Sequence, residues 1–112
     1  MKKIIKTNKA PKPIGPYNQA VIAGSYMFIS GQIALNPLTG DLITNDIKDE
    51  TIQVMNNLKA ILNEASLTFK NVVKTTIFLS SMDNFKSVNE VYGSFLENDT
   101  APARETVEVS KL

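Results

Sequence analysis

Arg104 is the single arginine in a chain whose other eleven cationic side chains are lysines. It stands in Ala101-Pro102-Ala103-Arg104-Glu105-Thr106-Val107-Glu108-Val109, close to the C-terminal end of the sequence. A guanidinium is a planar fork that holds a carboxylate or phosphate through two parallel hydrogen bonds, which an ammonium does not do. Such a fork serves either a structural ion pair or an anionic ligand, and the residue alone leaves both open. Three further positions carry usable chemistry. Ile14-Gly15-Pro16-Tyr17 sets a phenol in a stiff segment. Ser30-Gly31-Gln32 follows an apolar run, where a glycine permits close backbone approach by a neighbouring element or a ligand. Asn89-Glu90-Val91-Tyr92 puts an amide inside a helical pattern. Each also has an ordinary reading: a tyrosine packing a loop, a bulge, and a polar pair facing solvent.

The absent residue types narrow the reactions available. The chain has neither cysteine nor histidine. Thiolate nucleophiles, Ser-His-Asp triads, Cys-ligated zinc and HExxH sites are therefore excluded. Catalysis is left to carboxylates, hydroxyls, amides, backbone groups, lysines, Arg104 and water. There is no GxxxxGK loop or GxGxxG turn for a nucleotide. Asp46, Asp49 and Glu50 cluster, but helix capping accounts for them, and no metal or cofactor is called for.

A net charge of +1 gives no broad basic field for nucleic acid. Lys2, Lys3, Lys6, Lys9 and Lys12 crowd the N-terminus without interleaved aromatics, as a solvated segment does. No apolar run approaches the length that spans a bilayer, and the N-terminus lacks the apolar core of a secretory signal. The expectation is one small cytoplasmic domain covering residues 1–112.

The elements that would position these residues can be read from periodicity. Lys3 to Thr7 suggests a short strand. Gln19 to Ile22 and Tyr26 to Ser30, around a Gly24-Ser25 turn, suggest a hairpin. Asn36-Pro37-Leu38-Thr39-Gly40 is dense in turn formers. Asp46 is a good helix cap, and Val54, Leu58, Ile61, Leu62 and Ala65 repeat at helical spacing to about Glu64–Ala65. Val72 to Ser80 reads as a strand. A second helix capped by Asp83 carries Phe85, Val88, Tyr92, Phe95 and Leu96 on one face. Over Ala103 to Ser110 the pattern alternates: Arg104, Thr106 and Glu108 on one side, Ala103, Glu105, Val107 and Val109 on the other. Glu105 is anomalous if that second side is a core. The order is β-β-β-α-β-α-β, an α+β layer architecture with two helices on one face of a mixed sheet. The other sheet face is then solvated or meets a partner, and Tyr26 and Phe28 favour a partner.

Taken together, Ile14-Gly15-Pro16-Tyr17, Ser30-Gly31-Gln32-Ile33, Gln53 through Leu58, Val72 through Leu79, Asn89-Glu90-Val91-Tyr92 and Pro102-Ala103-Arg104 with Val107 and Val109 closely resemble the Rid family. These are the RidA-like imine deaminases, also called the YjgF or L-PSP endoribonuclease family. The resemblance runs along nearly the whole chain and implies a chorismate-mutase-like fold. It also implies a homotrimer with helices outside and ligand sites in clefts between subunits. The implied activity is hydrolysis of 2-imino acids such as 2-iminopropanoate and 2-iminobutanoate to 2-keto acids and ammonia. These imines arise from enamines such as 2-aminoacrylate.

By the same resemblance Arg104 grips the substrate carboxylate and the Thr106 backbone N–H helps anchor it. Tyr17 closes the pocket, Ser30 and Gly31 line it, and Asn89 contributes from the helix. Two departures stand out. Glu105 replaces the usual serine or threonine after the arginine. The family's Pro-Lys turn and final strand, whose glutamate is thought to orient water, have no counterpart up to Leu112. A molecule ending there is expected to keep ligand binding and to hydrolyse weakly. Two other functions fit the same residues: a non-catalytic trimeric carboxylate-binding protein, and an endoribonuclease or translation inhibitor. The near-neutral charge and single arginine argue against the last.

Overall fold

The computed structural model describes residues 1–112. Three short strands open the chain: β1 (Lys2–Ile5), β2 (Ala20–Ala23) and β3 (Tyr26–Ile29). They form one antiparallel ladder in the order β1-β2-β3, with Ile5 opposite Ala20 and Ala20 opposite Ile29. The β2–β3 turn needs Gly24, whose φ of 60° suits a residue without a Cβ. Helix α1 (Ile47–Glu64) follows, then β4 (Lys74–Leu79), helix α2 (Phe85–Ser94) and β5 (Ala103–Glu108). β4 and β5 pair in parallel, so α2 is the crossover that parallel neighbours require. The strands thus fall into two ladders, β1-β2-β3 and β4-β5. The element order and the α+β class agree with the periodicity.

α1 forms where the apolar spacing places it. The Asp46 side chain accepts the Asp49 N–H at 2.9 Å and caps it. Its inward face buries Thr51, Met55, Asn57, Ile61 and Leu62, while Val54, Leu58 and Ala65 are half-buried. Ile61 meets Ile5, Ala10 and Ala20 in the main core, and Ile22, Met27, Ile29, Ala60 and Ala65 pack around them. α1 therefore covers the first ladder. The helices also touch each other, and α2 lies over the second ladder, where Tyr92 meets Thr75 and Arg104.

Two expectations need correction, and one open question is answered. Asp83 does not cap α2: a 3-10 turn, Met82–Asn84, precedes the helix, and the Ser81 hydroxyl accepts the Asp83 N–H instead. Phe85 then continues directly from that turn, so α2 begins without a side-chain cap. β1, β3, β4 and β5 are also each shorter than the β-prone run read for them, although backbone bonds such as Ser30 N–H to Gln19 O and Val109 N–H to Leu79 O continue just beyond the strands. The question raised by Glu105 is answered as well: the apolar side of β5 is not a core face. Val107 is 42% exposed, whereas Arg104 and Thr106 are half-buried toward α2. The strand alternates as its sequence does, but its polar side faces the helix.

No helix is long and apolar enough to cross a membrane.

Candidate functional site

Arg104 is built into the second ladder beside Thr75, its register partner on β4. Alternation turns its side chain toward α2. There Nη1 donates to Oδ1 of Asn89 at 2.6 Å. The guanidinium carbon lies 5.1 Å from the Tyr92 ring centre and 5.6 Å from that of Phe85. Phe85, Asn89 and Tyr92 are spaced i, i+4, i+7, so one stripe of α2 supplies all three neighbours. Tyr92 is itself fixed, because its hydroxyl shares a 2.7 Å hydrogen bond with Thr75 Oγ1.

The ion pairs of the chain are Lys48–Glu90, Lys70–Glu97 and Lys74–Glu105. All use lysine, and Arg104 belongs to none of them. The structural ion pair that would have explained the lone arginine is absent. Its one side-chain acceptor is a neutral amide, and its Nε–Nη2 edge has no protein acceptor.

Glu105 points to the opposite face, as the alternation requires. Its Oε1 accepts from Lys74 Nζ at 3.2 Å and from Thr76 Oγ1 at 3.1 Å. The Lys74 hydrogen bond, then that of Thr76, then the Lys74 charge hold its carboxyl below the usual 4.5. It is engaged elsewhere and does not compete for Arg104.

Thr106 shares the Arg104 side of β5. Its Oγ1 is buried without a hydrogen-bond partner, the one side-chain atom of the chain in that condition. A buried hydroxyl left so costs about 1–3 kcal/mol.

The remaining predicted residues sit around the first ladder. The Tyr17 hydroxyl accepts the Ile14 N–H at 3.2 Å, and its N–H donates to Gly15 O at 2.8 Å, so the phenol folds back over its own stiff segment. Ser30 Oγ donates to Asn18 O at 2.6 Å. A Cβ built on Gly31 would meet nothing within 4 Å, so no element of this chain makes the close approach that the glycine suggested. The fold therefore brings Arg104, Asn89 and Thr106 together. Tyr17, Ser30 and Gly31 make no hydrogen bond to that group within one chain.

Sequence reasoning missed Thr75, Phe85 and Tyr92 as neighbours of Arg104. The signal was present: Asn89 falls on the same helical stripe as Phe85 and Tyr92, and so faces the strand rather than solvent. It also missed two amides that hold the loops. Gln19 Nε2 donates to the carbonyls of Thr7, Ala10 and Pro11, and its Oε1 accepts from Thr7 N at 2.7 Å. Asn57, 1% exposed, donates to Ile33 O and Leu35 O and accepts from Gln53. Polar residues inside an apolar pattern carry no such information until the loops are placed.

The fold and this group define a class: a small α+β domain presenting one unpaired arginine from a parallel strand pair. Residues 7–112 match the family model described as Endoribonuclease L-PSP, and the chain belongs to this family, the Rid or YjgF family. A RutC family protein from Pyrococcus horikoshii is 49% identical over 112 residues, spanning all of this chain and 88% of that one. A Rid family protein from Yersinia pestis, solved by crystallography, superposes with a TM-score of 0.96 at 46% identity, covering 100% of this chain and 89% of its own. A Mus musculus protein named 2-iminobutanoate/2-iminopropanoate deaminase is 42% identical over 112 residues, 100% of this chain and 82% of that one.

Proposed function

We propose that this protein is a hydrolytic deaminase of small 2-imino acids, producing 2-keto acids and ammonia. The observation that carries the reading is Arg104: charged, half-buried, and without a carboxylate partner. The name of the Mus musculus relative supplies the reaction class.

The substrate joins a carboxylate to an electrophilic C=N carbon. The free Nε–Nη2 edge of Arg104 takes the carboxylate through two charge-assisted hydrogen bonds, worth about 1.5–3 kcal/mol each. The N–H groups of Ala103 and Val109 donate toward β4, so alternation turns the Thr106 N–H to the open edge of β5, where in this reading it helps anchor the carboxylate or imine. A water oxygen adds to C2 as the imine nitrogen takes a proton, giving a carbinolamine. The hydroxyl proton then passes to the amine nitrogen, the C–N bond breaks as the C=O bond forms, and ammonia leaves with the 2-keto acid. No covalent bond to the protein forms, so a site without cysteine or histidine suffices. What the protein contributes is orientation and stabilisation of charge.

In this reading Tyr17, Ser30 and Gly31 reach the site from a neighbouring copy in a homotrimer. Support comes from the absence of a hydrogen bond between the two groups within one chain and from the exposed aromatic residues of β3 and β4, Tyr26, Phe28 and Phe78. An endoribonuclease reading rests on the wording of the family description, and a net charge of +1 gives it little electrostatic footing.

The test is keto-acid release from freshly generated 2-iminobutanoate. Acceleration by the wild-type protein and its loss in Arg104→Ala are expected. Equal rates with both proteins would discard the proposal.

A further inference from the structure

We infer that Phe85 and Tyr92 form an aromatic clamp that stands in for a counter-ion, keeping the Arg104 fork oriented and unpaired until a carboxylate arrives. They are positioning residues acting through the arginine, and the inference rests on the carboxylate-binding role proposed for Arg104.

A half-buried guanidinium loses hydration and has to recover it from the protein. A carboxylate does this most strongly, but it occupies the fork. The ring faces of Phe85 and Tyr92, at 5.6 and 5.1 Å, are within the range of cation–π attraction. They meet the cation without accepting a hydrogen bond, so the Nε–Nη2 edge stays open. Asn89 completes the arrangement by fixing Nη1 with a neutral oxygen. The clamp is stiff on one side: Tyr92 is buried and its hydroxyl is tied to Thr75. On the other side Phe85 is 36% exposed, more than core packing would require of a phenylalanine. Its position over Arg104 explains why an aromatic ring rather than any apolar side chain sits there.

Holding the arginine in one rotamer also removes the ordering cost that a free arginine would add to ligand binding. Clamp and ligand therefore act in the same direction. Loss of one ring is expected to weaken carboxylate binding by about three- to tenfold.

The chain has one arginine, so its side-chain Nε–H gives one resonance in a nitrogen–proton spectrum and reports the clamp directly. In wild type that proton is expected upfield, shifted by the two rings. Phe85→Leu keeps most of the apolar volume and removes the ring. The resonance is expected to move downfield and 2-ketobutyrate affinity to fall by about three- to tenfold, with the kinetic loss in KM rather than kcat. Phe85→Tyr and Tyr92→Phe, which keep the rings, are expected to keep the upfield shift. A folded Phe85→Leu with the wild-type resonance and wild-type affinity overturns the inference. A resonance that moves in Phe85→Leu, in a protein whose wild type binds no keto acid, sustains the clamp and overturns the proposed function instead.

Discussion

Arg104 Nη1 and Asn89 Oδ1 stand 2.6 Å apart, a charged donor held by an acceptor that carries no charge. An aspartate at this place would bond the same nitrogen and also neutralise it. Asn89→Asp is therefore expected to lower 2-ketobutyrate affinity at least about tenfold, since a charge-assisted bond to the ligand, about 1.5–3 kcal/mol, is replaced by an internal one. Asn89→Ala leaves the charge free and loosens its orientation, with an expected loss of about two- to fivefold, the worth of one ordinary hydrogen bond. Calorimetric titration separates the cases, and equal affinity in all three proteins would contradict this account.

Glu105 titrates on the opposite face, where Lys74 and Thr76 lower its carboxyl pKa. A carboxyl lowered in the folded state contributes stability that is fully present above the unfolded value. That contribution is lost as pH falls through the lowered folded value. The window for this group thus lies below the usual 4.5. Carbon-detected titration of the Glu105 carboxyl is expected to give a midpoint below that value in wild type and a higher one in Lys74→Met. Because the pair is exposed, the change in overall stability is expected to be small.

These two residues show how far the sequence could be read. Period-two alternation was enough to send Arg104 and Glu105 to opposite faces, and the structure agrees. Helical spacing located α1 to within a residue, with Asp46 as its cap. It failed at the start of α2, because a 3-10 turn and a helix share the same capping chemistry, and Asp83 sits inside the turn. The sequence left open whether the apolar side of β5 is a core, since an apolar strand face is indistinguishable in sequence whether it lies under a helix or open. Long-range amide bonds, such as those of Asn57, depend on loops that periodicity does not describe.

Asn57 satisfies two carbonyls of the loop that follows Ser30 and Gly31, Ile33 O at 3.1 Å and Leu35 O at 3.0 Å. Leucine at this position would fill the space and strand both acceptors. Asn57→Leu is expected to destabilise the protein by about 2–6 kcal/mol, since each stranded acceptor costs about 1–3 kcal/mol. Gln53→Leu, which removes only the bond to Asn57 Oδ1, is expected to cost about 1 kcal/mol. Urea denaturation gives both numbers. An Asn57→Leu midpoint equal to wild type would show that the amide is not holding the loop.

Ser66 ends α1 in the left-handed region, with φ of 60°. Its N–H donates to Asn63 O and the Leu67 N–H to Leu62 O, both at 2.9 Å, the pair of bonds that closes a helix at a left-handed residue. Glycine reaches this conformation without the Cβ clash that costs other residues roughly 1–2 kcal/mol. Some of that gain is offset by the greater freedom of glycine in the unfolded chain. Ser66→Gly is expected to stabilise the protein by about 0.5–1 kcal/mol. A lower thermal midpoint for the glycine variant would count against the capping account.

The open sides of both ladders decide whether the proposed trimer exists. Met27 and Ile29 of β3 pack toward α1, which turns Tyr26 and Phe28 outward, 66% and 61% exposed. Phe78 of β4 is 57% exposed. Burying such a ring between copies would contribute about 2 kcal/mol each, and a trimer repeats the contact three times. An aspartate at Phe28 would instead carry a charge into an apolar interface. Wild-type protein is therefore expected to sediment with the mass of a trimer and Phe28→Asp with that of a monomer. If Tyr17, Ser30 and Gly31 complete the site from a neighbouring copy, the monomer also loses imine hydrolysis although its own Arg104 is intact. A wild-type monomer that hydrolyses 2-iminobutanoate would place the whole reaction within one chain and remove the need for the neighbour.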